Sequence, residues 1–168
     1  AEMVDYQEAG MSLIGVSHRG QHFDAVFEEA IALVREQYGV PNEFEILLLQ
    51  GGATLQFSMV PMNLLGDGAR AAYVNSGHWA KGAIADARYY GDVYVAWDGK
   101  GDRYARKPVT EELKLLPNTR YRHITSNETI GGVRSFEWPG VEVPLVADMS
   151  SDYMTRPVPW SHFDLVYG

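Results

Sequence analysis

Cysteine is absent from the 168 residues. Disulfides and thiolate chemistry are thereby excluded, and the cytosol becomes the expected compartment. No apolar run reaches the roughly 18 residues of a membrane span, and no secretory signal pattern opens the chain. Basic residues are the minority: 14 Lys and Arg stand against 22 Asp and Glu, a formal net charge of −8 with His neutral. A nucleic-acid surface needs a basic face, so neither nucleic acid nor membrane is an expected partner. Small anions, which local charges hold, remain open. The common motifs are missing too. There is no GxxxxGK[ST] and no GxGxxG, which disfavours a nucleotide triphosphate or a dinucleotide. There is no GxSxG for nucleophilic serine chemistry. No HExxH occurs, and His18 and His22, four apart, lack a nearby third ligand, so no metal site is expected.

What is present describes a globular chain. Hydrophobic residues make up 46% of it, and a single domain of this size buries roughly 70% of its unfolded surface. Phe23, Val26, Phe27, Ala30, Ile31, Val34 and Tyr38 recur at helical spacing, with Gly39 and Pro41 as the stop. Phe44 to Leu49 is an apolar run expected to be a buried strand. A short helix is expected from about Ala53, limited by Pro61. Further strands are expected at Ala69–Val74, Val93–Trp97, Tyr121–Thr125, Leu145–Ala147 and Phe163–Tyr167. Trp79, Ala80, Ala83, Ile84 and Ala87 mark another helix closed near Gly91, and Thr110–Leu113 could open a short one. Asp98-Gly99 is a turn signal, with a surface stretch reaching to Pro108. Strands alternating with helices indicate an α/β domain built on a mainly parallel sheet flanked by helices.

In such sheets ligands collect at the C-terminal strand ends. Polar or aromatic groups follow the expected strands repeatedly: Gly51-Gly52-Ala53-Thr54, Ser76-Gly77-His78-Trp79, Asn127-Glu128-Thr129 and Asp148. Each has an ordinary and a functional reading. The glycine turn is either a plain strand-to-helix connection or a cradle in which helix N–H groups and the Thr54 hydroxyl hold one phosphate. Asp148 either caps its turn or, partly desolvated, pairs with a cation such as a pyridinium nitrogen. Trp79 is either core or a flat surface for a planar ring. His18 and Arg19 are either solvated or a site for phosphate or carboxylate, with arginine giving forked bonds.

Taken in order, GMSLIGVSHRG, LLLQGGATLQFSMVPMNLL, SGHW, TSNETIGGV, EWP and LVADMSSDYMTRPV resemble the phosphoserine aminotransferases over almost the whole chain. That family consists of fold-type I transaminases of class V, dependent on pyridoxal 5'-phosphate and working as homodimers. Its members move an amino group between L-glutamate and 3-phosphohydroxypyruvate in serine biosynthesis, and in some bacteria serve vitamin B6 synthesis. The resemblance implies that Ala53 and Thr54 hold the cofactor phosphate. It implies that Trp79 stacks on the ring, Thr129 bonds its phenolic oxygen, and Asp148 pairs with its nitrogen. Arg19, with His18, would contact the acidic groups of the substrate. The family's Schiff-base lysine lies in a Gln-Lys-Asn run that these residues do not contain, beyond the position of Gly168. The expectation is therefore a partial cofactor-binding large domain over 1–168, lacking an N-terminal segment and a C-terminal small domain, and inactive alone. The alternatives are a non-catalytic module for a phosphorylated ligand, or another fold-type I enzyme.

Overall fold

The computed structural model describes residues 3–138, 140 and 142–168. It falls into two units, Ala1–Leu47 and Leu48–Gly168.

In the first unit the helical spacing from Phe23 to Tyr38 becomes α1 (Gln21–Tyr38). Gly39, left-handed at φ 61°, ends it. The last carbonyls are satisfied locally: Val40 N–H reaches Arg35 O at 2.9 Å. The Arg35 guanidinium donates to Pro41 O at 2.6 Å and Phe44 O at 2.9 Å. A cation in the last turn also suits the negative end of the helix dipole.

The leucine run departs from expectation. Residues 44–49 form no strand among the described residues, and Leu47, Leu48 and Leu49 are 71%, 59% and 53% exposed. An apolar run supplies side chains for burial, but a strand exists only where a neighbour completes its ladder.

The second unit holds the sheet. Its strands are β1 (Arg70–Asn75), β2 (Asp92–Asp98), β3 (Thr119–Thr125), β6 (Leu145–Asp148) and β7 (Leu165–Tyr167), all parallel, in the order β2-β1-β3-β6-β7. A separate antiparallel pair joins β4 (Asn127–Glu128) to β5 (Val133–Arg134). The central strands read as short runs of small and apolar residues because both their faces are covered. Side chains alternate across the sheet. Ala71, Tyr73, Tyr121, Val146 and Tyr167 join one core cluster, and Val74, Ile124, Leu145 and Ala147 join the other.

The first cluster lies under α2 (Gly52–Leu64) and α3 (His78–Ala87), which contribute Phe57, Val60, Ala83, Ile84 and Ala87. Pro61 does not limit α2, which runs three residues past it to Leu64. Proline removes one donor, but its carbonyl still accepts the Leu65 N–H at 3.0 Å, and its ring is fully buried. On the same face His123, 1% exposed, stacks on Tyr73 at 4.7 Å between centroids and shares a 2.8 Å hydrogen bond with the Tyr167 hydroxyl. Burial holds this imidazole down at about 3, so it is neutral.

Candidate functional site

The register of the sheet decides which side chains share its C-terminal edge. Thr125 pairs with Asp148, and Asp148 with Tyr167, so the ends of β3, β6 and β7 are level. Asp148 is two residues beyond Val146 and shares its face, the one under α2 and α3. Phe57 of α2 meets the Tyr167 ring edge-on at 6.5 Å, which brings α2 to the strand beside Asp148.

Asp148 is 5% exposed. Its Oδ1 accepts the Ser150 N–H at 3.0 Å and the Ser150 hydroxyl at 2.5 Å. The capping role is therefore real, but it uses one oxygen. Burial raises the carboxyl above its ordinary range, against the pull of the Ser150 bonds. Among the described residues it forms no ion pair, so its charge is left in a medium that disfavours it.

Trp79, in the first turn of α3, is 38% exposed. The core reading is thus set aside: part of the indole faces outward. Its Nε1–H donates to Thr129 Oγ1 at 3.0 Å, joining two residues fifty apart in sequence. Thr129 spends a lone pair on this bond, which leaves its own O–H free to donate elsewhere.

The glycine turn opens α2 directly. Gly51 has φ 94° and Gly52 φ 59°. A Cβ on Gly51 would stand 2.4 Å from Leu55 Cδ2, so this position demands glycine by conformation and by space. The helix has no side-chain cap and no acidic residue in its first turn. The leading N–H groups, those of Gly52, Ala53 and Thr54, have no intrahelical acceptor. They carry the positive end of the helix dipole, an arrangement that accepts an anion.

His18 and Arg19 lie in the first unit, both exposed; the Arg19 N–H donates to Ser17 Oγ at 3.3 Å. Among the described residues no cluster of His, Asp or Glu has metal-binding geometry, and no helix is long and apolar enough to cross a membrane.

Two residues at this edge carried no role in the sequence reading. Lys107 belongs to the stretch expected on the surface, yet its Nζ turns inward to Ser76 Oγ at 2.9 Å and Thr125 O at 2.6 Å. Burial lowers its ammonium to about 8, against the opposing attraction of Glu128, Asp152 and Asp148. Glu128 was legible only as one of a polar group, and it is completely buried. A lone lysine in a polar run gives no local sign of turning inward, because its acceptors come from the turn after β1 and from the end of β3.

The chain is similar to known proteins. The phosphoserine aminotransferase of Dichelobacter nodosus is 44% identical over 167 residues, which is 99% of this chain and 47% of that one. A solved phosphoserine aminotransferase from Bacillus circulans subsp. alkalophilus matches with a TM-score of 0.94 at 43% identity, over 98% of this chain and 46% of its own. A PLP-bound phosphoserine aminotransferase from Trichomonas vaginalis gives 0.90 at 33% identity, over 98% and 50%. The chain spans about half the length of the curated relatives it matches. The model for the class-V aminotransferases fits residues 1–166, and the chain, with its parallel sheet, is a member of the class-V aminotransferase family.

Proposed function

We propose that this chain forms the cofactor pocket of a phosphoserine aminotransferase, binding pyridoxal 5'-phosphate at the C-terminal edge of the sheet. The observation that carries the reading is Asp148: a buried carboxylate with one oxygen engaged by Ser150 and no ion-pair partner among the described residues. A protonated ring nitrogen is the matching partner, since each charge relieves the desolvation of the other. The remaining residues fit the same ring. Trp79 offers a partly exposed indole face for stacking, and the Thr129 hydroxyl has a proton to give to a phenolic oxygen. The free N–H groups of Ala53 and Thr54, with the Thr54 hydroxyl, suit the phosphate.

The bound cofactor supplies a carbonyl that takes up an amino group and a ring that accepts electrons. The protein's share is orientation and electrostatics. Asp148 keeps the ring nitrogen protonated, Trp79 fixes the ring plane, and the α2 N-terminus anchors the far end. His18 and Arg19 are the candidates for the acidic groups of L-glutamate and 3-phosphohydroxypyruvate, arginine through a forked pair of bonds. Homodimeric assembly, a cytoplasmic setting and a place in serine or vitamin B6 biosynthesis belong to the same reading, supported by the motif resemblance.

The chain contains four lysines, 81, 100, 107 and 114, and none stands in a Gln-Lys-Asn run. We therefore predict binding without turnover by these 168 residues alone. Titration with pyridoxal 5'-phosphate, followed by Trp fluorescence and cofactor absorbance, should show saturable binding. Asp148→Asn and Thr54→Ala should each weaken it at least about tenfold, the loss of one charge-assisted contact. Turnover of glutamate and 3-phosphohydroxypyruvate by the lone chain, or equal affinity in all three proteins, would refute the proposal.

A further inference from the structure

Helix α3 starts with no side-chain cap from its own sequence, yet its first turn is bonded. Glu128, on β4, accepts the Trp79 backbone N–H through Oε2 at 2.9 Å and the Ala80 N–H through Oε1 at 3.0 Å. The adjacent residue, Thr129, accepts the Trp79 indole N–H at 3.0 Å. One tryptophan is thus held at its main chain and at its ring by consecutive residues of another element. Two attachment points fix the plane of an indole, where one would let it swing about its side-chain bonds.

The carboxylate could not be buried there unsupported. Ser76 donates its hydroxyl to Glu128 Oε1 at 3.2 Å, and the Lys107 ammonium donates to the same Ser76 oxygen at 2.9 Å. Arg134 and Arg156 both bond Asp152 Oδ2, at 3.2 and 3.3 Å, while the Glu128 charge acts on the Lys107 ammonium. A hydrogen-bonded line therefore runs from Lys107 through Ser76 and Glu128 to the start of α3. The turn between β1 and α3 is shaped to the carboxylate: a Cβ on Gly77 would lie 2.6 Å from Glu128 Cδ and 2.7 Å from Oε2.

We infer that Glu128 is a positioning residue for the Trp79 ring, clamping the first turn of α3 with its carboxylate while Lys107, acting through Ser76, neutralises that carboxylate. Its consequence for the cofactor rests on the pocket reading above; the clamp itself is measurable without any ligand. A glutamine at 128 would turn an NH2 donor toward a backbone N–H donor, so one of the two amides would lose its acceptor. The dipole-favoured charge at the helix N-terminus would go too.

Amide hydrogen exchange in the unliganded chain reads this directly. Glu128→Gln should speed exchange about tenfold or more at whichever of the Trp79 and Ala80 amides faces the new NH2, and less at the other, while Tyr73 and Ile124 in the sheet stay as in the parent. The indole Nε1–H of Trp79 should also shift, and pyridoxal 5'-phosphate affinity should fall about tenfold. Parent-like protection at both amides overturns the inference whether or not the cofactor binds. Faster exchange at either amide with unchanged affinity keeps the clamp but overturns its role toward the ring, and failure of the parent chain to bind pyridoxal 5'-phosphate at all counts against the pocket reading instead. If Glu128→Gln loses protection in the sheet as well, the decision passes to Lys107→Met against Lys107→Arg. Loss of protection at Trp79 and Ala80 in Lys107→Met with rescue in Lys107→Arg supports the line of bonds; equal behaviour of the two overturns it.

Discussion

Acid should destabilise this protein through one buried imidazole. His123 is enclosed between Tyr73 and Tyr167, and burial holds it down from the ordinary 6.5 to about 3. Among the described residues Nδ1 has no hydrogen-bond partner, so the neutral ring is best satisfied with its proton on Nε2, donating to the Tyr167 oxygen. In the folded state the ring stays neutral where the unfolded chain has already bound a proton. The unfolded state therefore binds more protons below 6.5, and stability falls as pH falls, from 6.5 until the folded ring itself titrates near 3. At about 1.4 kcal/mol per pH unit, the full window is worth about 5 kcal/mol, and at pH 5 the loss is about 2 kcal/mol. Against a total of roughly 5–15 kcal/mol for a domain, that is a large fraction.

The assay is urea unfolding at pH 7.5 and pH 5.0, comparing the parent with His123→Gln. Glutamine reaches toward the same hydroxyl and does not titrate. Other groups contribute to both proteins alike: Asp148, raised by burial, gains stability on acidification, the opposite sign. The difference of differences isolates His123, and the parent should lose about 2 kcal/mol more than the variant. Parallel losses in the two proteins, or a His123 ring that titrates near 6.5 by NMR in the folded chain, would refute the reasoning.

Lys107 makes the complementary prediction at high pH. Its folded value, about 8 against 10.5, is lowered by burial. The unfolded state binds more protons between the two, so stability rises with pH across that window, by about 3 kcal/mol at most. Urea unfolding of Lys107→Met at pH 7.5 and 10 should lack that rise. Gly51→Ala forces a side chain into φ 94° and against Leu55 at 2.4 Å, and should cost about 1–3 kcal/mol by denaturant titration. A neutral effect there would mean that the turn relaxes freely and that its glycine is not structurally required.

The alternation of short apolar runs and amphipathic helices is a local property, so it could be read from the chain. β1, β2, β3, β6 and β7 stand within a residue or two of their expected places, and α1 ends at Gly39 as its left-handed conformation requires. By the rule that ligands gather at the C-terminal strand ends, Asp148, Trp79 and Thr129 are expected at one edge of the sheet. Each of these side chains follows a strand or starts a helix, and such positions are marked by nearby residues.

Other features depend on partners remote in the chain. Phe44–Leu49 has a strand's composition but no ladder among the described residues. Lys107 is expected on the surface, but the turn after β1 and the end of β3 supply its acceptors, and Glu128 is one polar residue in a group whose role is set by the start of α3. His123 became a neutral core group only when Tyr73 and Tyr167 enclosed it. Sequence alone indicated most of the strands and helices and which residue types follow the strand ends, because periodicity, glycine and turn chemistry act over a few residues. Tertiary structure alone decided which charges are buried, which are neutralised and how the indole is held, because desolvation and hydrogen bonding depend on neighbours that only folding brings near.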